Sequence, residues 1–322
     1  MKKVISLVLS VMMMLTMFAG CKASGTAETA APTAAPTSST AAETSADTTP
    51  AVQEFNVAIV QQLDHASLDE IRTAIVARLQ TLAEEKGVKV NIQEFNGQND
   101  ATVLNQIGAQ VVGDGVDLIM ANATPALTAA VSATADIPIL GTSITAYGVA
   151  LDIDDFSGTV GGNVSGTSDL ADLQKQAQMI LDWFPETKTV GLLFCSAEPN
   201  SRYQIDEVRK ALEAQGVTCE EFAFTDSNDV SSVAQKAADF SDVVYIPTDN
   251  TAASNTEAIA NVLIPAGVPA ICGEEGLCRG CGVATLSISY YDLGVTTGKM
   301  AAKILKVSAS STSFIAFLFT LK

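Results

Sequence analysis

Residues 68–72 read LDEIR, and the pattern returns as IDEVR at residues 205–209. Three further blocks recur in the same order: residues 86–88 with 215–217, 99–100 with 228–229, and 116–125 with 243–250. A repeat of this length corresponds to a whole domain rather than to a solenoid unit. The sequence therefore predicts two similar lobes, and a cleft between two domains is where small ligands usually bind.

Each half alternates apolar runs of strand length with segments whose apolar residues fall at helical spacing. The predicted strands are residues 55–60, 88–92, 116–121 and 137–140, then 189–194, 218–224, 243–246 and 269–272. The predicted helices are one from Leu68 that ends at Gly87, then 101–112, 125–133, 170–184, 201–215, 230–238 and 252–266. This alternation predicts an α/β fold of two doubly wound, parallel-sheet lobes joined by a hinge.

The predicted boundaries divide the chain after the tether described below into three parts, which are a first lobe at residues 54–165, a second lobe at 166–282, and a hinge return with a helix at 283–306. Three glycines near the first boundary, Gly161, Gly162 and Gly166, do not follow the strand, glycine loop and helix order of a phosphate site. They are predicted to form a flexible crossover between the lobes.

Residues 1–20 have the features of an export signal. Lys2 and Lys3 precede an apolar run at residues 4–18, and Ala-Gly then stands directly before Cys21. The run is too short to favour a transmembrane helix, and small residues before a cysteine predict a lipoprotein signal with Cys21 as the lipid attachment site. An ordinary secretory signal with an incidental cysteine is the alternative. Residues 21–53 are mostly Ala, Thr, Ser, Pro and Glu, which predicts a disordered tether.

The chain is acidic, with a formal net charge of -18 over 322 residues. Binding to nucleic acid requires a basic patch that neutralises phosphates, and no cluster of Lys and Arg in this sequence provides one. Composition therefore excludes nucleic acid as a partner.

Five cysteines follow Cys21: Cys195, Cys219, Cys272, Cys278 and Cys281. Because this number is odd, they cannot all pair internally. Zinc normally takes four ligands, and the only histidine is His65, so a metal site is the less favoured interpretation of the last three cysteines. A turn at the end of a strand is predicted there, with thiols that pair locally or stay reduced. Cys195 and Cys219 are predicted to be small core residues.

Polar residues gather where the predicted strands end, which is where ligands bind in parallel α/β sheets. The candidates are Gln62, His65, Thr124, Thr142, Ser143, Ser196, Asn200, Ser201, Asp249, Asn250 and Glu274. Helix-start amides near Thr124 suit a ligand carboxylate, whereas Asp249 or Glu274 suits an ammonium group, and an amino acid supplies both. The alternative for each residue is a role as a helix N-cap. No catalytic residue, cofactor or metal ligand is assigned.

Four motifs resemble the ABC transporter substrate-binding proteins of the tryptophan/tyrosine-type uptake family. They are VDLIMANATPA at residues 116–126, NVSGTSDL at 163–170, YIPTDNT at 245–251 and ISYYDLG at 288–294, and the resemblance spans about residues 55–306. It implies a type I periplasmic-binding-protein fold that closes on a ligand, and delivery of that ligand to a permease and ATPase pair. The positions it carries over are Thr124, Asp169, Asn200, Ser201, Asp249, Asn250 and Glu274.

One segment departs from the family pattern. After Lys306 the chain enters a serine-rich stretch and then an apolar run at residues 314–321, which predicts that residues 307–322 are an aberrant tail from a frameshift or a misplaced gene end. An edge strand or terminal helix is the alternative.

The leading functional hypothesis is a lipid-anchored extracytoplasmic solute receptor of an ABC importer, which binds an amino acid, aromatic in the family, and performs no chemistry. A lipoprotein that senses the same ligand for a signalling receptor is the first alternative. A hydrolase is the second, and Cys195 with His65 is its one obvious nucleophile and base pair, although the two residues are predicted to lie on different lobes.

Overall fold

The computed structural model describes residues 52–307, which form two α/β lobes. The elements of the first lobe are β1 (Glu54–Gln61), α1 (Ala66–Lys86), β2 (Lys89–Asn96), α2 (Ala101–Gly113), β3 (Leu118–Asn122), α3 (Thr124–Ala133), β4 (Ile139–Thr142), α4 (Tyr147–Ala150) and β5 (Val164–Gly166). The predicted signal, Cys21, nearly all of the tether, and residues 308–322 of the tail lie outside the described residues.

The second lobe follows the same plan. Its elements are α5 (Leu173–Trp183), β6 (Thr189–Cys195), α6 (Pro199–Glu213), β7 (Thr218–Phe224), α7 (Val230–Phe240), β8 (Val243–Ile246), α8 (Asn250–Ser254), α9 (Thr256–Ala266), β9 (Ala270–Cys272), α10 (Glu275–Cys281) and β10 (Ala284–Thr285). A last helix, α11 (Tyr290–Ile304), follows β10.

The two sheets have the same topology. The strand order is β2-β1-β3-β4-β5 in the first lobe and, read from the other edge, β7-β6-β8-β9-β10 in the second, and every paired strand is parallel. The corresponding strands therefore occupy corresponding positions, which confirms the predicted pair of parallel-sheet lobes.

Both faces of each sheet are covered. Along β1, Val57 and Ile59 pack into one apolar cluster and Ala58 and Val60 into another, because successive side chains on a strand point to opposite faces. The second sheet is likewise flanked by two apolar clusters. The near-continuous apolar runs that identified the strands are the consequence of this double burial.

Helix α11 joins the lobes. It follows the last strand of the second lobe but packs on the core of the first, where its Leu293 and Ala301 share an apolar cluster with α1. Residues 167–172 and 286–289 carry the chain between the two lobes within the described range. No helix in that range is both long and apolar enough to cross a membrane.

Several elements differ from the sequence prediction. The single helix predicted at 252–266 is two helices, α8 and α9, and the short strands β5 and β10 and the short helix α4 were not predicted. The predicted turn around Cys278 and Cys281 is wrong, because both residues lie in α10, which Glu274 caps through the N–H groups of Gly276 and Leu277. Gly166 stands in β5, where a side chain would collide with the carbonyl oxygen of Gly141.

Candidate ligand-binding site

The carboxyl ends of the two sheets face each other, and we call the space between them the cleft. Three hydrogen bonds cross it. His65 Nε2 lies 3.2 Å from Asn250 Oδ1, Asn99 Nδ2 donates to Thr251 Oγ1 at 3.0 Å, and the Ser67 hydroxyl donates to the Glu274 carboxylate. The lobes are therefore in direct contact at the strand ends, which defines a closed arrangement.

Glu198, which the sequence analysis did not select, is the residue with most partners on the second-lobe side. Only 2% of its surface is exposed. Its Oε1 accepts hydrogen bonds from the N–H (2.8 Å) and hydroxyl (2.7 Å) of Thr251. Its Oε2 accepts from the N–H (3.0 Å) and side-chain amide (2.7 Å) of Asn250 and from Asn200 Nδ2 at 3.2 Å. Glu198 thus fixes the loop after β8 against the start of α6.

Asp249 has both carboxylate oxygens engaged inside its own lobe. Oδ1 accepts from the N–H of Ala252 at 2.7 Å and so caps α8, while Oδ2 accepts from the N–H of Cys195 at 2.6 Å. Burial, and then the charge of Glu198, raise the pKa of Asp249. Since both oxygens already accept hydrogen bonds from backbone N–H groups, Asp249 connects the end of β6 to the start of α8. This is the N-cap role that the sequence analysis gave as the alternative.

Asp169 lies on the first segment that joins the lobes and is 3% exposed. Its Oδ1 accepts from the hydroxyl of Thr145 at 3.0 Å, and its Oδ2 accepts from Ser143 at 3.1 Å and Tyr290 at 3.3 Å. Burial raises the pKa of Asp169, and the three hydroxyl donors oppose that effect. None of the ion pairs formed among residues 52–307 includes Asp169. A buried carboxylate with hydroxyl partners is a suitable acceptor for an ammonium group.

Among the remaining predicted residues, Thr124, Thr142 and Ser201 are buried, whereas Ser196 is exposed. Thr142 is fully buried in a hydroxyl cluster with Thr167 (3.3 Å) and Thr297 (3.1 Å), and Thr124 is buried at the start of α3. Ser196, by contrast, is exposed and donates to the carbonyl of Phe224 at 3.1 Å, so it is bound to β7. Ser201 is fully buried near the start of α6, within reach of Asn200 Nδ2 at 3.4 Å.

Four buried acceptor atoms on the segments that end or follow β1, β3 and β6 have no hydrogen-bond partner: Gln62 Oε1, His65 Nδ1, Asn122 Oδ1 and Asn200 Oδ1. Unpaired buried polar atoms are rare in native proteins, and each one needs an explanation. Their shared position at the strand ends makes them candidate partners for a ligand. Sequence reasoning selected three of these four residues as candidates, and it did not select Asn122, which directly follows the predicted strand at 116–121.

The thiols do not form a reactive or metal-binding centre in the described part of the chain. All five cysteines there are unpaired, and no group of three or more ligand-type side chains could hold a metal ion. Burial raises the pKa of Cys195 to about 12, and its Sγ faces the carbonyl of Thr225 at 3.6 Å. His65 instead contacts Asn250, so Cys195 and His65 do not form the nucleophile and base pair of a hydrolase.

Two parallel-sheet lobes with polar strand ends that meet across a cleft define a two-lobed solute-binding protein. Residues 56–313 match the family described as "ABC transporter substrate binding protein", and the chain belongs to that family. Its members are solute receptors rather than enzymes, so the hydrolase alternative is not supported.

Three relatives illustrate the similarity. A tyrosine-binding protein of Clostridioides difficile strain R20291 is 30% identical over 261 residues, which are 80% of this chain and 74% of that protein. The ABC domain in complex with L-Trp from Streptococcus pneumoniae is 33% identical, covers 78% of this chain and 85% of its own, and superposes with a TM-score of 0.72. The ligand-free, open structure of a substrate-binding protein with adhesive properties from Clostridium difficile is also 33% identical. The match covers 80% of this chain and 86% of that one, with a TM-score of 0.57.

Identity does not separate the last two relatives, yet the L-Trp complex superposes better than the ligand-free, open structure. This difference agrees with the three hydrogen bonds across the cleft. The resemblance to this family, predicted from four motifs, is confirmed.

Proposed function

We propose that this chain is the extracytoplasmic receptor of an ABC importer and that it binds an aromatic amino acid, tyrosine or tryptophan, in the cleft. The relatives support the ligand class, since one is a tyrosine-binding protein and another is in complex with L-Trp. The closed ligand-bound form would then be what the permease and ATPase pair recognises.

The observation that carries this proposal is Asp169, a buried carboxylate with three hydroxyl partners and no ion pair within the described residues. We assign the ligand ammonium to Asp169. We assign its carboxylate to the start of α3, where Thr124 is buried and no side chain caps the helix, because the amino end of a helix attracts anions.

Asp169→Asn tests this assignment. The change keeps the shape of the side chain but removes its charge, and a hydrogen bond to a charged group contributes about 1.5–3 kcal/mol, so we expect roughly 10- to 100-fold weaker binding of L-Tyr or L-Trp. Calorimetric titration measures the dissociation constant, and Asp172→Asn, at the exposed cap of α5, is the matched control. Unchanged affinity in Asp169→Asn would contradict the assignment.

We further propose that residues 1–20 are a lipoprotein signal and that the mature protein is attached to the outer face of the cell membrane through Cys21. The order of charged, apolar and small residues before Cys21 supports this interpretation. Cys21→Ala should release the protein from the membrane fraction, and a lipid-modified peptide that begins at Cys21 should be found by mass spectrometry. Membrane attachment that survives Cys21→Ala would refute the anchor.

A further inference from the structure

Three of the four unpaired atoms are amide oxygens, and they are acceptors because the amide nitrogens of the same side chains already donate. Gln62 Nε2 donates to Asn99 Oδ1 at 2.8 Å, and Asn122 Nδ2 donates to Gln61 Oε1 and to the carbonyl of Leu68, both at 3.1 Å. Asn200 Nδ2 donates to the carbonyl of Thr248 at 3.0 Å and to Glu198. The oxygen of each amide is therefore the free atom.

Two chains of hydrogen bonds from the first lobe end at Glu198. In one, His65 Nε2 meets Asn250 Oδ1 at 3.2 Å, and Asn250 Nδ2 donates to Glu198 Oε2 at 2.7 Å. In the other, Gln62 donates to Asn99, Asn99 donates to Thr251 Oγ1, and the Thr251 hydroxyl donates to Glu198 Oε1 at 2.7 Å.

A carboxylate can only accept, so every donor in both chains must point toward Glu198. Asn250 Oδ1 then accepts a hydrogen bond from the Nε2–H of His65, and in the neutral imidazole this leaves Nδ1 as an acceptor. Asn200 is oriented in the same way by its own bond to Glu198. Glu198 thus determines that the unpaired atom is an acceptor in three of the four side chains, which are Gln62, His65 and Asn200.

We infer that Glu198 is a positioning residue that makes the cleft an array of acceptors, and that the receptor consequently selects ligands with a hydrogen-bond donor on the side chain as well as an ammonium group. An ammonium group has three N–H donors, whereas Asp169, on the segment that joins the lobes, and the four unpaired atoms at the strand ends make five acceptors. Tyrosine and tryptophan supply a further donor, and phenylalanine does not. This inference rests on the proposed amino-acid ligand.

Phenylalanine has one donor fewer than tyrosine or tryptophan and would leave one more buried acceptor unpaired, and a site built around a hydrogen bond rejects the analogue that lacks it. We therefore expect L-Phe to bind about 10- to 100-fold more weakly than L-Tyr or L-Trp. Calorimetric titration of the full chain with the three amino acids measures this selectivity ratio.

Glu198→Gln tests the role of Glu198. The change replaces one carboxylate oxygen by an NH2 group, which donates where the oxygen accepted, so the hydrogen bonds of one chain must reverse their direction. We expect the ratio of the dissociation constants for L-Phe and L-Tyr to fall toward one. If Glu198 had a merely structural role, Glu198→Gln would weaken the binding of both ligands equally and leave the ratio of their dissociation constants unchanged. Asp242→Asn is the matched control, since Asp242 accepts from the N–H groups of Lys188 (2.8 Å) and Thr189 (2.9 Å) in the same lobe but at the amino ends of the strands, opposite to the cleft.

Gln62→Met provides a second test that does not depend on the folding of Glu198→Gln. It removes one acceptor while keeping a side chain of similar length, and the affinity for L-Phe should rise relative to the affinity for L-Tyr. Equal binding of L-Phe and L-Tyr by the wild type, or an unchanged ratio in both variants, would overturn the inference and leave the proposed receptor intact. Failure of all three amino acids to bind would overturn the proposed ligand, and the inference with it.

Discussion

Glu198 and Asp249 are neighbouring buried carboxylates with different partners. Glu198 receives five hydrogen bonds from Asn200, Asn250 and Thr251, whereas Asp249 receives backbone N–H groups from Cys195 and Ala252. The charge of Glu198 adds to the effect of burial and raises the pKa of Asp249. Stability should therefore depend on pH through Asp249.

The sign of this dependence follows from the direction of the shift. Asp249 has an ordinary pKa of 3.8, which folding raises to about 8, so between these values the folded state holds a proton that the unfolded chain has lost. The free energy of unfolding should consequently fall as pH rises through this window. Asp249→Asn should make that fall shallower, as measured by urea unfolding at a series of pH values.

Asp242→Asn is the control with the opposite sign. Hydrogen bonds from backbone N–H groups lower the pKa of Asp242, so its contribution is present above the ordinary pKa and is lost only in more acidic solution. Asp242→Asn should leave the slope between about pH 5 and pH 8 unchanged. An Asp249→Asn slope equal to that of the wild type would show that Asp249 does not titrate in this window.

At the scale of elements, the contact between α1 and α11 joins the C-terminal helix to the first lobe. Gly294 lies in the close contact between the two helices, since a Cβ there would stand 2.6 Å from the carbonyl oxygen of Ile71 and 2.8 Å from Ala74 Cβ. The atom nearest to the added Cβ belongs to the backbone of α1, which cannot move aside as the end of a flexible side chain can. The glycine of the motif at 288–294 thus has a packing role.

Gly294→Ala should destabilise the protein by about 1–3 kcal/mol, because the helices must move apart to accommodate the methyl group. Denaturant unfolding measures the change. Gly113→Ala is the control, because that site, at the end of α2, has no atom within 4 Å of the new Cβ, and alanine is the better helix former. Equal stability of the Gly294→Ala variant and the wild type would argue against close packing there.

Sequence patterns predicted long elements well and short ones poorly. Strand β1 has eight residues with an apolar centre, whereas β10 has two, which is too short for any periodicity to show. Helix α10 contains Gly276 and Gly280, which disfavour a helix, and it forms because Glu274 caps it and Leu277 and Cys281 pack into the second lobe. Tertiary packing overrides local propensity in such segments.

For the whole molecule, the three hydrogen bonds across the cleft stabilise the closed form directly. Ser67 and Asn99 contribute two of them from the first lobe. A ligand that binds only the closed form shifts the equilibrium by its differential affinity, so contacts between the lobes set the starting point for that shift.

Ser67→Ala combined with Asn99→Ala should move the ligand-free protein toward the open form. We expect a larger radius of gyration by small-angle X-ray scattering, and weaker ligand binding by roughly 5- to 30-fold if each lost bond contributes about 0.5–1 kcal/mol. Asn91→Ala, which removes exposed hydrogen bonds within the first lobe, is the control and should leave the radius unchanged. The same radius in the double variant and the wild type would show that these bonds do not hold the lobes together.

The amino-acid sequence by itself determined the duplicated α/β lobes and the placement of polar residues at strand ends, because apolar periodicity and repeated blocks are local properties of the chain. Only the tertiary structure decided what those residues do. His65 and Asn250 meet across 185 positions, and Glu198 is buried by Asn250 and Thr251, which follow it by 52 and 53. A hydrogen bond has a direction that depends on both partners, so the polarity of the cleft exists only once distant segments are brought together.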